Sequence, residues 1–183
     1  MNLRTKLIQK LIHFNELLIF YPKLRRFYLS VLSKTTITVM DVGANKGQSI
    51  DFFLKVNSTA TIHSFEPNLK LYKRLIEKYS KNKKIILNNL GVSNINGFLE
   101  FHENILDETS TFEELNINSK YLAKKAKVLG VLKENIVIDS YKVEVVRMVD
   151  YIKNNPNVFF DVVKIDVEGH ELQCLQGLFD SAL

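Results

Sequence analysis

The sequence has very few of the residues that form disulfides or interrupt a chain. It contains one cysteine, Cys174, and three prolines among 183 residues. A single cysteine excludes a disulfide framework and a CxxC metal site, so a reducing compartment, by default the cytoplasm, is expected. The 46% of apolar and 25% of charged residues are typical of a globular domain with a sizeable core, and no segment is repetitive.

Long hydrophobic runs are also absent, which argues against a transmembrane segment. The most apolar stretch near the N-terminus, residues 11–20, contains three polar or charged residues and is shorter than the roughly 20 residues that a spanning helix needs. It also lacks the small-residue cleavage site of a signal peptide. The apolar spacing instead predicts two helices, residues 3–20 and 23–32, on either side of Pro22.

Residues 1–33 are therefore expected to form a helical extension of a domain that spans residues 34–183. The extension carries six basic side chains: Arg4, Lys6, Lys10, Lys23, Arg25 and Arg26. Contact of residues 1–32 with an anionic membrane surface is one interpretation, but packing on the domain is favoured because amphipathic helices mostly cover their own core. The net charge of +5 indicates no particular partner, because lysines scattered over exposed helices give the same total.

A strand, a turn and a helix in the first third of the chain predict a ligand site. Residues 36–42 are β-branched and apolar, and a turn with Gly43, Asn45 and Gly47 precedes a helix that begins at Gln48. The glycines allow positive φ and a close backbone approach, while the first amides of the helix point back at the turn. We therefore expect a small ligand at this turn.

Asp41, at the end of this strand, narrows the choice of ligand. A dinucleotide fingerprint is Gly-x-Gly-x-x-Gly, but here the spacing is Asp41-x-Gly43-x-x-x-Gly47, and a carboxylate would repel a pyrophosphate. The same carboxylate suits a ligand's ammonium group, and the amides suit its carboxylate. An amino acid that carries a nucleoside meets both demands, and S-adenosylmethionine is the common example.

A second acid, Glu66, strengthens this interpretation. It follows a predicted strand at residues 61–65 and precedes Pro67. Parallel-sheet nucleotide folds hydrogen-bond the ribose hydroxyls from this place with this type of residue. A carboxylate can accept from both hydroxyls of a diol, so Glu66 is a candidate for ribose binding.

The remaining segments alternate between the apolar spacing of helices and that of strands. The predicted elements are helix 70–79, strand 85–87, antiparallel strand 98–102, helix 113–131, strands 136–138 and 143–149, a short helix before Pro156, and strand 160–165. Residues 103–142 are the least regular stretch and a candidate lid. Ionisable side chains follow the last strand: Asp166, Glu168, His170 and Glu171. Acids at the carboxyl ends of strands that lead into helices predict a doubly wound, mostly parallel α/β sheet.

Six of these segments resemble the FkbM-type family of S-adenosylmethionine-dependent methyltransferases. They are residues 41–47 (Asp-Val-Gly-Ala-Asn-Lys-Gly), 65–67 (Phe-Glu-Pro), 91–93 (Gly-Val-Ser), 108–112 (Glu-Thr-Ser-Thr-Phe), 149–151 (Val-Asp-Tyr) and 164–171 (Lys-Ile-Asp-Val-Glu-Gly-His-Glu). The resemblance runs from about residue 37 to the C-terminus. It implies a Rossmann-like fold and O-methylation of a hydroxyl on a sugar, glycan or small natural product.

The resemblance also implies roles for two groups of residues. The cofactor-binding group is Asp41, Gly43, Asn45, Gly47 and Glu66. The group that faces the transferred methyl is Asp166, Glu168 and His170. Asp166 or Glu168 is expected to act as general base. Carboxylates that hold Mg²⁺ against a sugar diol are the alternative, but a metal-free site is favoured because no second acidic cluster has ligand spacing.

Two other functions are weighed against this one. A nucleic-acid amino-methyltransferase needs an Asp/Asn-Pro-Pro-aromatic loop to hold a flipped base, and the prolines at 22, 67 and 156 are never adjacent, so no nucleic-acid partner is expected. Family members continue past the last helix into further strands, so strand 160–165 is expected to present an unpaired edge, with the domain incomplete at its C-terminal side. A truncated, non-catalytic module that binds cofactor or a partner is therefore the alternative function.

Overall fold

Strands and helices alternate along most of the chain. The computed structural model describes residues 20–32, 35–106, 109–114, 116 and 118–179, so the predicted helix 3–20 lies outside the described residues except for Phe20. The elements are α1 (Tyr21–Val31), β1 (Thr38–Val42), α2 (Gln48–Val56), β2 (Thr61–Phe65), α3 (Leu69–Tyr79), β3 (Ile85–Asn88), β4 (Gly91–Ser93), β5 (Gly97–Asn104), α4 (Lys120–Leu129), a 3₁₀ turn (Lys133–Asn135), β6 (Val137–Arg147), α5 (Met148–Lys153), β7 (Val162–Ile165) and α6 (Glu171–Gln176).

Four predicted strands form one parallel sheet in the described part of the chain, in the order β3-β2-β1-β7. The registers place Asp41 of β1 opposite Ser64 of β2 and Lys164 of β7. The α/β class and the parallel sheet are therefore confirmed, and the carboxyl ends of three acid-bearing strands meet at one edge. Within the described residues, β7 pairs only with β1.

Side chains that alternate along these strands bury both faces of the sheet. Val39 and Ile62 belong to one hydrophobic cluster, on the side of α2 and α3, whereas Met40 belongs to a second cluster with Cys174. Cys174 is fully buried, its Sγ donates a hydrogen bond to the Val92 carbonyl at 3.1 Å, and burial raises the pKa of its thiol to about 12. The single cysteine is therefore part of the core and is not a reactive thiol.

A second, mixed sheet has the order β4-β6-β5, whereas the sequence predicted a single sheet. Strand β6 lies in the middle: β5 pairs with β6 antiparallel, and β4 pairs with β6 in parallel. The predicted separate strands 136–138 and 143–149 were wrong, because Val137–Arg147 is one strand. Exposed polar residues in its middle hide the alternation, and pairing with β5 along their length keeps the strand continuous.

Two predicted helix boundaries also differ from the structure. Helix α4 is shorter than the predicted 113–131, because the Ser119 side chain caps its first turn by accepting from the Leu122 amide at 3.2 Å, and Gly130 ends it with a φ of 69°. Helix α1 includes Pro22 in its first turn, where a missing amide proton costs nothing.

Helix α1 packs on α2 through aromatic side chains. The ring centroids of Tyr21 and Phe52 are 5.4 Å apart, and those of Tyr28 and Phe53 are 5.2 Å apart. The described part of the helical extension therefore packs one side on the domain, while Phe27, Leu29 and Val31 are exposed. Across the described ranges, no helix combines the length and apolar character needed to cross a membrane.

Candidate functional site

A cavity of about 440 Å³ opens at the carboxyl ends of β1, β2 and β7. Its walls come from the turn after β1, the end of β2, the segment after β7, residues 110–112 and part of α1. Five predicted site residues line it: Gly43, Asn45, Glu66, Asp166 and Glu168. Three others lie outside its lining: Asp41, Gly47 and His170. The cavity therefore brings together five of the eight predicted site residues, and the other three make contacts elsewhere in the structure.

The two glycines of the turn are required by close approaches. Gly43 has a φ of 82°, and a Cβ there would lie 2.0 Å from the carbonyl oxygen of Asp166, so the turn crosses directly against the end of β7. Gly47 has a φ of 85°, and a Cβ there would lie 2.5 Å from the hydroxyl oxygen of Tyr79, which donates to the Gly47 carbonyl at 3.0 Å. Gly47 thus admits Tyr79 behind the turn and does not face the cavity.

Asp41 lies beneath the cavity and not in it. Its side chain is 0% exposed, and its Oδ2 accepts hydrogen bonds from the Ser49 hydroxyl at 2.7 Å and the Ser64 hydroxyl at 3.1 Å. Its Oδ1 lies 3.3 Å from the Nζ of Lys164. In this structure the ammonium group beside Asp41 is that of Lys164, so the expected contact of Asp41 with a ligand's ammonium group stays a prediction that the geometry does not support.

Lys164 is a site residue that the sequence analysis did not single out. Its Nζ donates to the carbonyl oxygens of Gly43 at 2.7 Å and Val42 at 3.3 Å, and it lies 3.8 Å from Oδ2 of Asp166. It lines the cavity and ties the end of β1 to the end of β7. A lysine within an otherwise apolar strand was the available signal, because buried lysines are rare unless paired.

Glu66 lies at the cavity wall and is only 5% exposed. Its Oε2 accepts from the Asn45 amide at 2.7 Å and its Oε1 from the Asn68 amide at 2.8 Å. Burial raises the pKa of this carboxyl to about 7, although both amide hydrogen bonds act in the opposite direction. Each oxygen of a carboxylate has two lone pairs, so both can still accept from a ligand's hydroxyls.

A tight turn after β7 presents the two candidate bases. The side chain of Asp166 is 67% exposed, and Glu168 has a left-handed φ of 55°. The Glu171 carboxylate accepts from the amides of Val167 at 3.1 Å and Gly169 at 3.0 Å, which holds the turn closed. Burial acts to raise the pKa of Glu171, but hydrogen bonds from backbone amides outweigh it and lower the pKa. Glu171 is therefore an ionised cap that shapes the turn.

His170 does not line the cavity, so its predicted place beside the transferred methyl stays a prediction without support from the geometry. The side chain is buried, its Nδ1 lies 2.7 Å from Oε1 of Glu113, and its Nε2 lies 2.9 Å from the Ser93 hydroxyl. Both ring nitrogens therefore have protein partners. The imidazole follows β7 in sequence, but the turn directs it toward β4.

The described acidic side chains at the cavity do not form a group with the composition of a metal site. Among the described residues, no group of three or more His, Cys, Asp and Glu side chains could hold a metal ion. The acidic groups at the cavity are Glu66, Asp166 and Glu168, with the Lys164 ammonium between the strand ends. The excess of carboxyl groups over ammonium groups at the cavity favours a positively charged ligand.

The fold and the cavity together define an α/β protein with a ligand site at the carboxyl ends of a parallel sheet. A family model for the methyltransferase FkbM domain matches residues 41–183, which is more than half of the chain. The chain therefore belongs to the FkbM methyltransferase family, and the resemblance seen in its motifs is confirmed. No curated protein matches the sequence significantly.

Proposed function

We propose that this protein is an S-adenosylmethionine-dependent O-methyltransferase with a Rossmann-like, doubly wound fold. Its acceptor is a hydroxyl of a sugar, glycan or small natural product, and it works in the reducing cytoplasm. One observation carries the proposal: the glycine turn, Glu66 and the carboxylates of Asp166 and Glu168 open into a single cavity. Membership of a methyltransferase family supports the reaction class.

The residues around the cavity fit the cofactor in both charge and shape. The turn at Gly43 and Asn45 and the first amides of α2 suit the carboxylate of an amino acid, because the start of a helix favours anions. Glu66 suits the ribose diol. Three carboxylates around the cavity suit a positively charged sulfonium. A dinucleotide fits poorly, because the same carboxylates would repel its pyrophosphate.

The reaction needs an acceptor hydroxyl that loses its proton as its oxygen attacks. When bound, S-adenosylmethionine supplies a methyl group whose C–S bond breaks as the C–O bond forms, with the electron pair going to sulfur. Asp166 or Glu168 takes the hydroxyl proton, because both line the cavity beyond the glycine turn. Lys164 donates to the Gly43 carbonyl and lies 3.8 Å from Asp166, so its role is to position the turn and this carboxylate.

Calorimetry on the purified chain tests the proposal. We expect S-adenosylmethionine and S-adenosylhomocysteine to bind, and NAD⁺ at the same concentration not to bind. A folded protein that binds neither adenosyl ligand would refute the cofactor assignment. Turnover with glycans from a cell extract then separates an enzyme from the alternative of a non-catalytic binding module, which would bind the cofactor and methylate nothing.

A further inference from the structure

His170 connects three segments of the chain behind the cavity wall. Its Nε2 pairs with Ser93 of β4, its Nδ1 pairs with Glu113, and its backbone precedes α6. The His170 side chain is 6% exposed, whereas the Glu113 side chain is 43% exposed. The hydrogen bond to Glu113 therefore fastens a surface segment, residues 109–114, to a buried anchor.

The fastened segment carries part of the cavity wall. Its main chain pairs with β5, because Thr111 and His102 exchange hydrogen bonds of 2.8 and 3.1 Å. Ser110, Thr111 and Phe112 line the cavity. The Phe112 ring lies 5.1 Å from the ring of Phe101 and 5.1 Å from the ring of His170. His170 thus holds Phe112 both by direct contact and through Glu113.

The absence of a side chain at Gly91 makes room for this ring. A Cβ at Gly91 would lie 2.4 Å from the tip of the Phe112 ring, so the ring rests directly on the backbone that follows β3. Leu90 and Gly91 also line the cavity. Phe112, Leu90 and Gly91 therefore form an apolar part of the cavity wall where the chain has left β3.

The order of the strands indicates which end of a ligand meets this wall. The sheet order is β3-β2-β1-β7, with the glycine turn at the end of β1 and Glu66 at the end of β2. A ligand with its amino acid at β1 and its ribose at Glu66 directs its base toward the end of β3. Aromatic rings bind bases by stacking, whichever base is present.

We propose that the His170–Glu113 hydrogen bond is a latch that fixes Phe112 as the base-binding wall of the cofactor site. His170 is then a positioning residue. This inference rests on the proposed function for the nature of the ligand. The latch keeps the wall formed before the ligand binds, so binding does not have to order residues 109–114.

The chain offers closely matched variants for the test. Glu113→Ala removes the latch at a half-exposed position, and Glu114→Ala removes the neighbouring exposed carboxylate as control. Glu113→Gln keeps an oxygen that accepts from Nδ1–H. His102→Ala is the control for His170→Ala, because it removes an imidazole that pairs with Ser140, while the main-chain pairing of residue 102 with Thr111 does not need that side chain. Unfolding curves for each variant show that it is folded.

Calorimetry with S-adenosylhomocysteine and with 5′-methylthioadenosine measures the effect without any acceptor. We expect Glu113→Ala to weaken both ligands about 5- to 10-fold, the loss expected for one hydrogen bond, and His170→Ala to weaken them at least as much. The double variant should bind no more weakly than His170→Ala alone, because that change already removes both the latch and the direct contact with Phe112. Glu113→Gln should bind within about twofold of the wild type. Glu114→Ala and His102→Ala should be unchanged.

Several outcomes would overturn the latch. Variants that lose thermal stability but bind both ligands as the wild type does would show that the hydrogen bond only supports the fold. Weaker binding of S-adenosylhomocysteine with normal binding of methylthioadenosine would place the effect away from the nucleoside. If the wild-type protein binds neither ligand, the proposed function fails before the latch is tested, so the two failures are distinguishable.

Discussion

The ends of β1 and β7 lie side by side and each carries an aspartate, yet the two aspartates occupy opposite environments. Asp41 is 0% exposed and Asp166 has a side chain that is 67% exposed. Lys164 lies between them, 3.3 Å from the first and 3.8 Å from the second. The comparison teaches that an acid at a strand end can belong either to the frame of a site or to its chemistry, and burial distinguishes the two.

The buried end is fixed by partners on three elements. Ser49 of α2, Ser64 of β2 and Lys164 of β7 all contact the Asp41 carboxylate. The exposed end has a carboxylate that water and a substrate can both reach. The proposed general base must release its proton to solvent after each turnover, and the exposed side chains of Asp166 and Glu168 suit that role better than the buried Asp41 does.

The largest effect is expected at the exposed end. We predict that Asp166→Asn and Glu168→Gln leave the affinity for S-adenosylhomocysteine unchanged, and that the variant lacking the base loses about 10²–10⁴-fold in the rate of methylation. Transfer of a radiolabelled methyl group to extract glycans measures the rate, and calorimetry measures the affinity. Glu114→Gln, an exposed carboxylate outside the cavity lining, is the control.

Full activity in both variants would show that neither carboxylate is the base and would break the comparison. The same assay tests the metal alternative, in which these carboxylates hold Mg²⁺ against a sugar diol. We expect EDTA to leave turnover unchanged. Activity that EDTA abolishes and Mg²⁺ restores would assign the exposed carboxylates to a metal site.

The next effect is expected at the buried end. Lys164→Met leaves Asp41 buried without its cation, and breaking such a pair costs about 3 kcal/mol in the free energy of unfolding. Lys164 has a side chain that is 22% exposed, so the loss should lie at the lower end of the range for buried pairs. Denaturant unfolding measures it. Binding of S-adenosylhomocysteine should weaken as well, because Lys164 holds the Gly43 carbonyl.

Two variants make this test specific. Asp41→Asn combined with Lys164→Met removes both charges and should recover most of the lost stability. Lys78→Met breaks a pair with Asp51 in which both side chains are more than 40% exposed, and it should cost less than about 1 kcal/mol. A Lys164→Met protein as stable as the wild type would show that the contact near Asp41 is not an energetic link.

The parallel sheet could be predicted from sequence because its strands are short apolar runs that end in turn residues. Residues 61–65 were predicted with the observed bounds of β2. The continuous strand β6 was not, because four of its eleven side chains are exposed and polar, and its full length is defined by pairing with β5. A buried strand can be predicted from its apolar composition. The bounds of a strand in a half-exposed sheet depend on pairing with strands that are distant in the chain.

In the candidate site, local backbone features could likewise be predicted from sequence, whereas contacts between distant side chains could not. Backbone requirements were readable, since Gly43 has the positive φ that the sequence predicted. Side-chain partners were not, since the Lys164 contact to Gly43 spans 121 positions and the His170 contact to Glu113 spans 57. Local patterns show where a strand ends and which groups stand there. They do not show which of those groups face the cavity.

Glu66 at the end of β2 gives the smallest predicted effect and sharpens the comparison, because it is buried like Asp41 but lines the cavity like Asp166. Burial raises its pKa to about 7 in the free protein. A raised pKa means that the folded state holds a proton that the unfolded state releases. This contribution to stability is therefore full below the unfolded pKa and is lost as pH rises through about 7.

Ligand binding should show the opposite trend with pH. The hydroxyls of a ribose donate to the ionised carboxylate, so bound ligand favours the form of Glu66 that has lost its proton. The affinity for S-adenosylhomocysteine should therefore rise about tenfold between roughly pH 6 and pH 8, as the carboxyl ionises. Glu66→Gln should bind more weakly at the higher pH and show a flatter profile, because the ligand's own titration is common to both proteins. Identical profiles for the two proteins would mean that Glu66 does not accept a hydrogen bond from the ligand. Glu66 would then belong to the frame of the site, as Asp41 does.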